Sequence, residues 1–260
     1  MNGKEELATF FTALRKLRGG TLTSTQVFEA NKLIERSGLE GAYKIYGITE
    51  DLKVNALSYD QWTKITPKGN PEILKYLNIY LPKYDVSTKE ALAMFLANGY
   101  VESMGFTRFR ESFAYRPETL LKTFKSRVRT LEKAKELCGQ GQEAIANFLY
   151  DGRYGNGFKE GWKYRGGGIF QTTFKDNYVA LDTALGKVGL VKEPNLIVMP
   201  EFAVRSALYY WNSKNLSTVV AKYKTVEDSL LEVRKAINGG TNGLDEVALQ
   251  LKRMKNIVGL

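Results

Sequence analysis

A mainly α-helical fold is predicted by three observations on the sequence. Apolar residues recur at helical spacing in several segments, helix-start and helix-stop residues bracket those segments, and strand-like runs are few and short. Lys4–Arg18 reads as a short amphipathic helix ending at Gly19-Gly20. Thr23–Arg36 reads as a second, with Thr23 as N-cap, Gln26 as its capping-box partner and Gly38 as its stop. Residues 39–66 are mixed. The stretch from Ile65 to Pro71 holds two prolines and a glycine and marks a domain boundary, giving segments 1–68 and 69–260. Beyond it, Glu72–Leu81 is expected to be helical. Ser87-Thr88-Lys89-Glu90 forms a capping box ahead of the apolar run Ala91–Ala97. Further helices are expected over 117–137, 141–150, Pro200–Trp211 and Thr225–Ile237, the last stopped by Asn238-Gly239-Gly240.

Composition narrows the chemistry. The 260 residues are 43% hydrophobic, enough for a real core in one large domain or a medium domain with a small companion. A net charge of +10 favours anionic partners such as nucleic acid, anionic membrane surfaces or bacterial envelopes. One cysteine, Cys138, excludes an internal disulfide, and it reads as a buried small hydrophobe at a helix end. The chain has no histidine. Ser-His-Asp and Cys-His nucleophile systems and His-ligated zinc are therefore excluded, and acid–base work falls to carboxylates, lysines or tyrosines. The N-terminus does not read as a signal peptide and no apolar run is long enough to span a membrane, so a soluble chain made in the cytosol is expected.

The segment VESMGFTRFRE, residues 101–111, carries Glu102 and Glu111 nine residues apart. On the helix that starts near Ser87, Leu92, Phe95, Leu96 and Gly99 fall on one face, and Glu102 lies two turns beyond Phe95 on that face. A carboxylate on a core-facing stripe is desolvated and tends to keep its proton, as a general acid must. Met104-Gly105 offers a helix break after which the chain can turn back and present Glu111. Arg108 and Arg110 would help keep a neighbouring carboxylate ionised. One protonated and one ionised carboxyl suit the hydrolysis of a glycosidic bond. The spacing alone is weak, since 28 acidic residues produce such pairs by chance.

Four ordered motifs sharpen this. AMFLANGYVESMGFTRFRESFAYRPETLLKTF (93–124) resembles the active-site segment of glycoside hydrolase family 19, in its phage endolysin branch. GWKYRGGGIFQTTFKDNY (161–178) is similar to that family's Gly-Trp-x-Tyr-Arg-Gly-Arg-Gly-x-x-Gln-x-Thr-x-x-x-Asn-Tyr motif. PEFAVRSALYYWNSKNL (200–216) looks like its helix before the last cleft segment, and INGGTNGLDE (237–246) matches its Ile-Asn-Gly-Gly-x-Asn-Gly. The resemblance covers residues 72–260 and leaves 1–66 uncovered. It implies a lysozyme-like, two-lobed helical catalytic domain with glycine-rich cleft loops, preceded by a small helical N-terminal segment. It implies Glu102 as general acid, Glu111 as general base and Thr173 as the hydroxyl that positions water. Gln171, Tyr178 and Asn238 match sugar-contacting positions. Inversion needs room for water, so the carboxyls should lie ~6.5–9.5 Å apart. The chain departs from the family at Val101, where a histidine is usual, at Gly167, where an arginine is usual, and at Glu246-Val247, where arginines often stand.

The loop 151–168 has seven glycines and interleaves them with Tyr154, Phe158, Trp162 and Tyr164. These rings can stack on sugar faces, Trp162 or Tyr164 foremost, or pin the loop to the core. No Walker-type phosphate loop is present. Lys125, Arg127 and Arg129 read as a solvated basic face. The resemblance implies an endolysin that cuts the β-1,4 bond between N-acetylmuramic acid and N-acetylglucosamine of bacterial peptidoglycan, with no metal and no cofactor. A monomer is thereby expected, accumulating in the cytoplasm of an infected bacterium and released to the wall through a separate membrane pore. Nucleic acid is not the expected partner. Residues 1–68 are expected to bind cell wall. The alternatives are a chitinase acting on N-acetylglucosamine polymers and a non-catalytic glycan-binding protein.

Overall fold

A computed structural model describes Leu7 and residues 10–15, 21–46 and 57–260. Among these residues the chain is helical, and its β pairings are isolated bridges of Gly167 with Arg110 and with Thr172. The mainly α expectation is met. The described residues up to Thr107 cluster with Ala207–Leu260 as one unit, and Arg108–Ser206 form a second.

In the first unit, Leu7 and residues 10–15 are helical; the rest of the helix expected over Lys4–Arg18 lies outside the described residues, as does Gly19-Gly20. Helix α1 (Ser24–Ile45) opens with the expected box: Thr23 N–H donates to Gln26 Oε1 at 2.9 Å and Gln26 N–H to Thr23 Oγ1 at 3.2 Å. Gly38 ends its first segment, as expected. Its φ of 70° and ψ of 170° make a kink, after which the helix resumes. Phe10, Leu14, Ala30, Ala42 and Tyr43 form a small core here. Helix α2 (Tyr59–Ile65) has a reciprocal Ser58–Gln61 capping box. Gln61 Nε2 donates to Ile257 O, Arg253 donates to Ile65 O at 2.6 Å, and Trp62 packs on Phe106. Pro71 opens α3 (Pro71–Tyr80) with Asn70 as cap.

Helix α4 (Lys89–Glu102) is the centre of this unit. Its N-cap is Thr88, not Ser87: Thr88 Oγ1 accepts from Ala91 N–H at 3.1 Å. Residues Ala91–Gly99 are all buried, so the single core-facing stripe expected from the sequence is instead a helix enclosed on every side. Helix α13 (Leu244–Val258) covers it with Val247, Leu251, Met254 and Val258, spaced at helical period. Within the same unit lie α11 (Leu216–Ala221) and α12 (Leu230–Asn238), and Trp211 meets Phe95 edge-on at 5.5 Å.

In the second unit the expected helix 117–137 is three: α5 (Pro117–Thr123), α6 (Lys125–Val128) and α7 (Leu131–Gln140), broken at Phe124 and at Arg129, whose φ is 60°. Lys125, Arg127 and Arg129 are solvent-exposed, as a basic surface face should be. Helix α8 (Gln142–Tyr150) packs with α7 around Phe113, Leu120, Leu137, Ile145 and Leu149. Cys138 is half-buried beside this core and donates to Tyr115 O. Helix α9 (Lys175–Ala184) follows the glycine-rich loop, and α10 (Pro200–Ser213) carries the chain from the second unit into the first. No described helix is long and apolar enough to cross a membrane.

Candidate active site

Glu102 is the last residue of α4, and the chain stops being helical just after it. Ser103 Oγ donates back to Gly99 O and accepts from Phe106 N–H, while Met104, Gly105 and Phe106 all take positive φ. A Cβ on Gly105 would stand 3.3 Å from the Tyr100 ring at φ +74°, so glycine alone suits this turn. The break expected at Met104-Gly105 is therefore present, with the helix ending two residues earlier.

The surroundings of Glu102 differ from those the helix-face argument expects. Its carboxylate is not alone in an apolar setting: Arg234 Nη1 stands 2.5 Å from Oε1, and that arginine is 2% exposed. Arg234 is held from behind, with Nε at 2.8 Å and Nη2 at 2.5 Å from Asn242 O. The turn after α12 builds this clamp. Gly239 ends the helix in the left-handed region, Asn242 supplies the carbonyl, and Gly243 leaves space where a Cβ would lie 3.1 Å from Arg234 Nη2. Asn238 Nδ2 approaches Glu102 Oε1 at 3.5 Å. Burial and the Glu102 charge push the Tyr210 phenol up, and its hydroxyl donates to Ala236 O. Val101 lies over Gly243, its Cγ1 being 3.7 Å from where a Cβ would be.

Glu111 belongs to the second unit and is gripped by backbone. Its N–H donates to Gly166 O at 2.9 Å, and its Oε2 accepts from Gly166 N–H at 2.9 Å. Its Oε1 accepts from the Tyr150 hydroxyl at 2.7 Å. Tyr150 is fixed edge-on by Phe113 and Phe174, with centroids 5.6 and 5.0 Å away. Burial raises the Glu111 pKa above the ordinary carboxylate range; the Gly166 N–H, Tyr150, Arg165 and Arg110 pull the other way without cancelling it. Burial and the Glu111 charge in turn push the Tyr150 phenol far up, so it remains a hydrogen-bond donor. The arginine beside Glu111 is Arg110; Arg108 is solvent-exposed.

Gly166 packs directly against Glu111. A Cβ there would come within 2.9 Å of Gln171 Oε1 and 3.1 Å of both Glu111 Cβ and Oε2. Gln171 itself takes φ 52°, and its Nε2 donates to Gly168 O. Thr173 Oγ1 donates to Gln171 O at 2.8 Å. Gln171 and Thr173 thus lie in the loop that holds Glu111. Tyr178 and Tyr164 are corrections to the sugar-contact expectation. Both are sealed, at 0% and 1% exposure. Tyr178 accepts from Arg110 Nη1 and donates to Arg165 O, and Tyr164 donates to Val191 O. They hold the loop and its arginines, because burying a phenol requires a partner for its hydroxyl. Trp162 is half-buried, with the Arg165 guanidinium 3.5 Å from its ring centroid.

Three groups were not singled out from the sequence: Arg234, Tyr150 and the Asn242 carbonyl. Arg234 left one signal, a charged residue among the buried positions of α12 beside Val233. Tyr150 left none, because its partner lies 39 residues away in the chain. Among the described residues no acidic and thiol side chains converge into a metal-holding group.

No protein-family model matches the chain. It is 34% identical over 188 residues, 71% of its length, to a Haemophilus influenzae protein described as glycosyl hydrolase family 19 domain-containing, of which the match covers 88%. Its fold is similar to that of chitinase C from Streptomyces griseus, at a TM-score of 0.55 and 20% identity over 79% of this chain and 93% of that one. A bacterial family 19 chitinase gives 0.51 and 18%, over 79% and 96%.

Proposed function

Because the chain belongs to glycoside hydrolase family 19, we propose that this glycosidase is an endolysin-type muramidase. It hydrolyses the β-1,4 bond between N-acetylmuramic acid and N-acetylglucosamine of bacterial peptidoglycan by single displacement with inversion. The observation that carries the hydrolytic reading is that Glu102 and Glu111 each have a dedicated and different support, Arg234 for one and Gly166 with Tyr150 for the other.

Glu111 is proposed as the general base that activates water. A carboxylate whose pKa is raised by burial above the ordinary carboxylate range accepts a proton more readily. Thr173 is proposed to help orient that water. Glu102 is proposed as the general acid on the glycosidic oxygen, with Arg234 and Asn238 fixing Oε1 so that Oε2 faces the substrate. Gln171 and Trp162 are proposed as sugar contacts from the glycine-rich loop. The net charge of +10 supports an anionic envelope as target. Residues 1–68 are proposed to add wall binding. Accumulation in an infected bacterium and release through a separate pore complete the proposal.

Digestion of purified peptidoglycan, followed by borohydride reduction and mass spectrometry, tests it. New ends at reduced muramic acid are expected, and Glu102→Gln and Glu111→Gln should each lower the rate by about 10²–10⁴-fold. New ends only at glucosamine, or cleavage only of N-acetylglucosamine oligomers, would replace the muramidase reading with the chitinase one. Truncation to Leu57 should preserve cleavage of soluble fragments and weaken sedimentation with intact sacculi.

A further inference from the structure

On the surface of the second unit lies an open groove of about 430 Å³ between α7, α8 and the glycine-rich loop. Its most unusual feature is Phe158, whose ring is 85% exposed. The loop is braced to hold it there. Asp151 Oδ2 accepts from Lys159 N–H at 2.8 Å and Oδ1 from Gly161 N–H at 2.7 Å. Glu160 accepts from Gly157 N–H at 2.7 Å and pairs with Lys175 at 3.0 Å. Lys159 takes φ 60°, a left-handed conformation that a lysine adopts at a cost. Lys159 Nζ lies 5.5 Å from the Phe158 ring centroid and the ring is otherwise open to solvent, a surface on which a ligand ring can stack.

The groove's composition selects the ligand. Phe148, 38% exposed, supplies a second ring, and the amide side chains of Gln140 and Asn147 line the same space. The charged lining is balanced, Lys133 and Lys159 against Glu143 and Asp151, although the whole chain carries +10. A polyanion would select a basic groove. A neutral chain with apolar ring faces and amide groups fits rings and amides together. We propose that this groove is a second glycan-binding site, separate from the Glu111 pocket, that seats N-acetylhexosamine residues by stacking on Phe158 and Phe148. From this stretch Glu143, Ala144, Asn147, Phe148 and Asp151 line the groove, and Tyr150 and Glu111, which bond to each other, are not among its lining residues. Such a site would hold an insoluble polymer against the enzyme between cuts. It stands whichever polymer is cleaved.

The test is an amide-resolved NMR titration of the full chain carrying Glu111→Gln, so that glycan is not consumed. Two probes are used, an N-acetylglucosamine hexamer and a soluble peptidoglycan glycan fragment; which one shifts the groove identifies the source. The expected result is saturable shifts at the amides of Leu137, Gln140, Asn147 and Phe158. Phe158→Ala should weaken that binding about tenfold, the loss of one stacked ring, and Phe158→Tyr should retain it. Shifts confined to the surroundings of Glu111 and Glu102, an unchanged affinity in Phe158→Ala, or groove shifts with a DNA oligomer and with neither glycan would overturn the proposal. Groove binding without any cleavage of peptidoglycan would sink the muramidase reading and leave this site standing.

Discussion

Glu102 and Glu111 are close in sequence and are supported by opposite means. Glu102 ends a buried helix and is met by a charge, Arg234, which lies 132 residues further along the chain and is itself held by the Asn242 carbonyl. Glu111 sits in an irregular segment and is met by neutral donors, a backbone N–H and a phenol, with Arg110 and Arg165 at longer range. The first arrangement orients a carboxylate by an ion pair. The second desolvates a carboxylate while still fixing both of its oxygens. A pair of identical side chains can be given different proton affinities only by such differences in surroundings.

Arg234→Ala attacks the first arrangement and carries the largest expected effect. Removing one partner of a buried ion pair leaves Glu102 uncompensated, and about 3–5 kcal/mol of stability should be lost. A denaturant-unfolding midpoint close to that of the parent protein would mean the clamp is not structural. Gly166→Ala attacks the second. Its new Cβ must displace Gln171 or Glu111 by several tenths of an ångström, and if Glu111 is the proposed base its misplacement should lower kcat by about a hundredfold. Retention of full turnover would show that the Glu111 pocket yields freely.

Two smaller effects separate the carboxylates by pH. Tyr150→Phe removes the 2.7 Å hydrogen bond that favours ionised Glu111, so the Glu111 pKa should rise further. A general base must be ionised to act, and the acidic limb of kcat/KM should move to higher pH. An unmoved limb would assign it to another group. Glu111→Gln should show in stability what its pKa implies. A carboxyl whose folded pKa lies above its unfolded value contributes stability that is fully present below the unfolded value and lost as pH rises through the folded one. The glutamine variant should therefore gain on the parent at neutral pH and lose that advantage under acidic conditions, as read from urea midpoints at both.

The legibility of the site follows the range of its contacts. Glu102, the break after it and Glu111 lie within one short segment, and their setting is a local matter of helix phase and glycine placement. Gln171 and Thr173 were legible as part of a motif, and the structure puts both in the loop that holds Glu111. Tyr164 and Tyr178 belong to the same motif and proved to be its buried braces, because a pattern of residue types does not say which side of a loop faces solvent. The surroundings of Glu102 were not legible for a related reason. The apolar stripe of α4 was visible, but the enclosure of that helix on every side and the arrival of Arg234 both depend on elements distant in the chain.

By itself the sequence determined the helical class, most helix starts and the family, and it singled out the two glutamates, since each rests on short stretches of neighbouring residues. Only the tertiary structure decided the partners of those glutamates. Arg234 and Tyr150 are brought to them by the packing of α12 and α8, and burial, which sets the proton affinity of Glu111, is a property of the assembled unit and of no single stretch of chain.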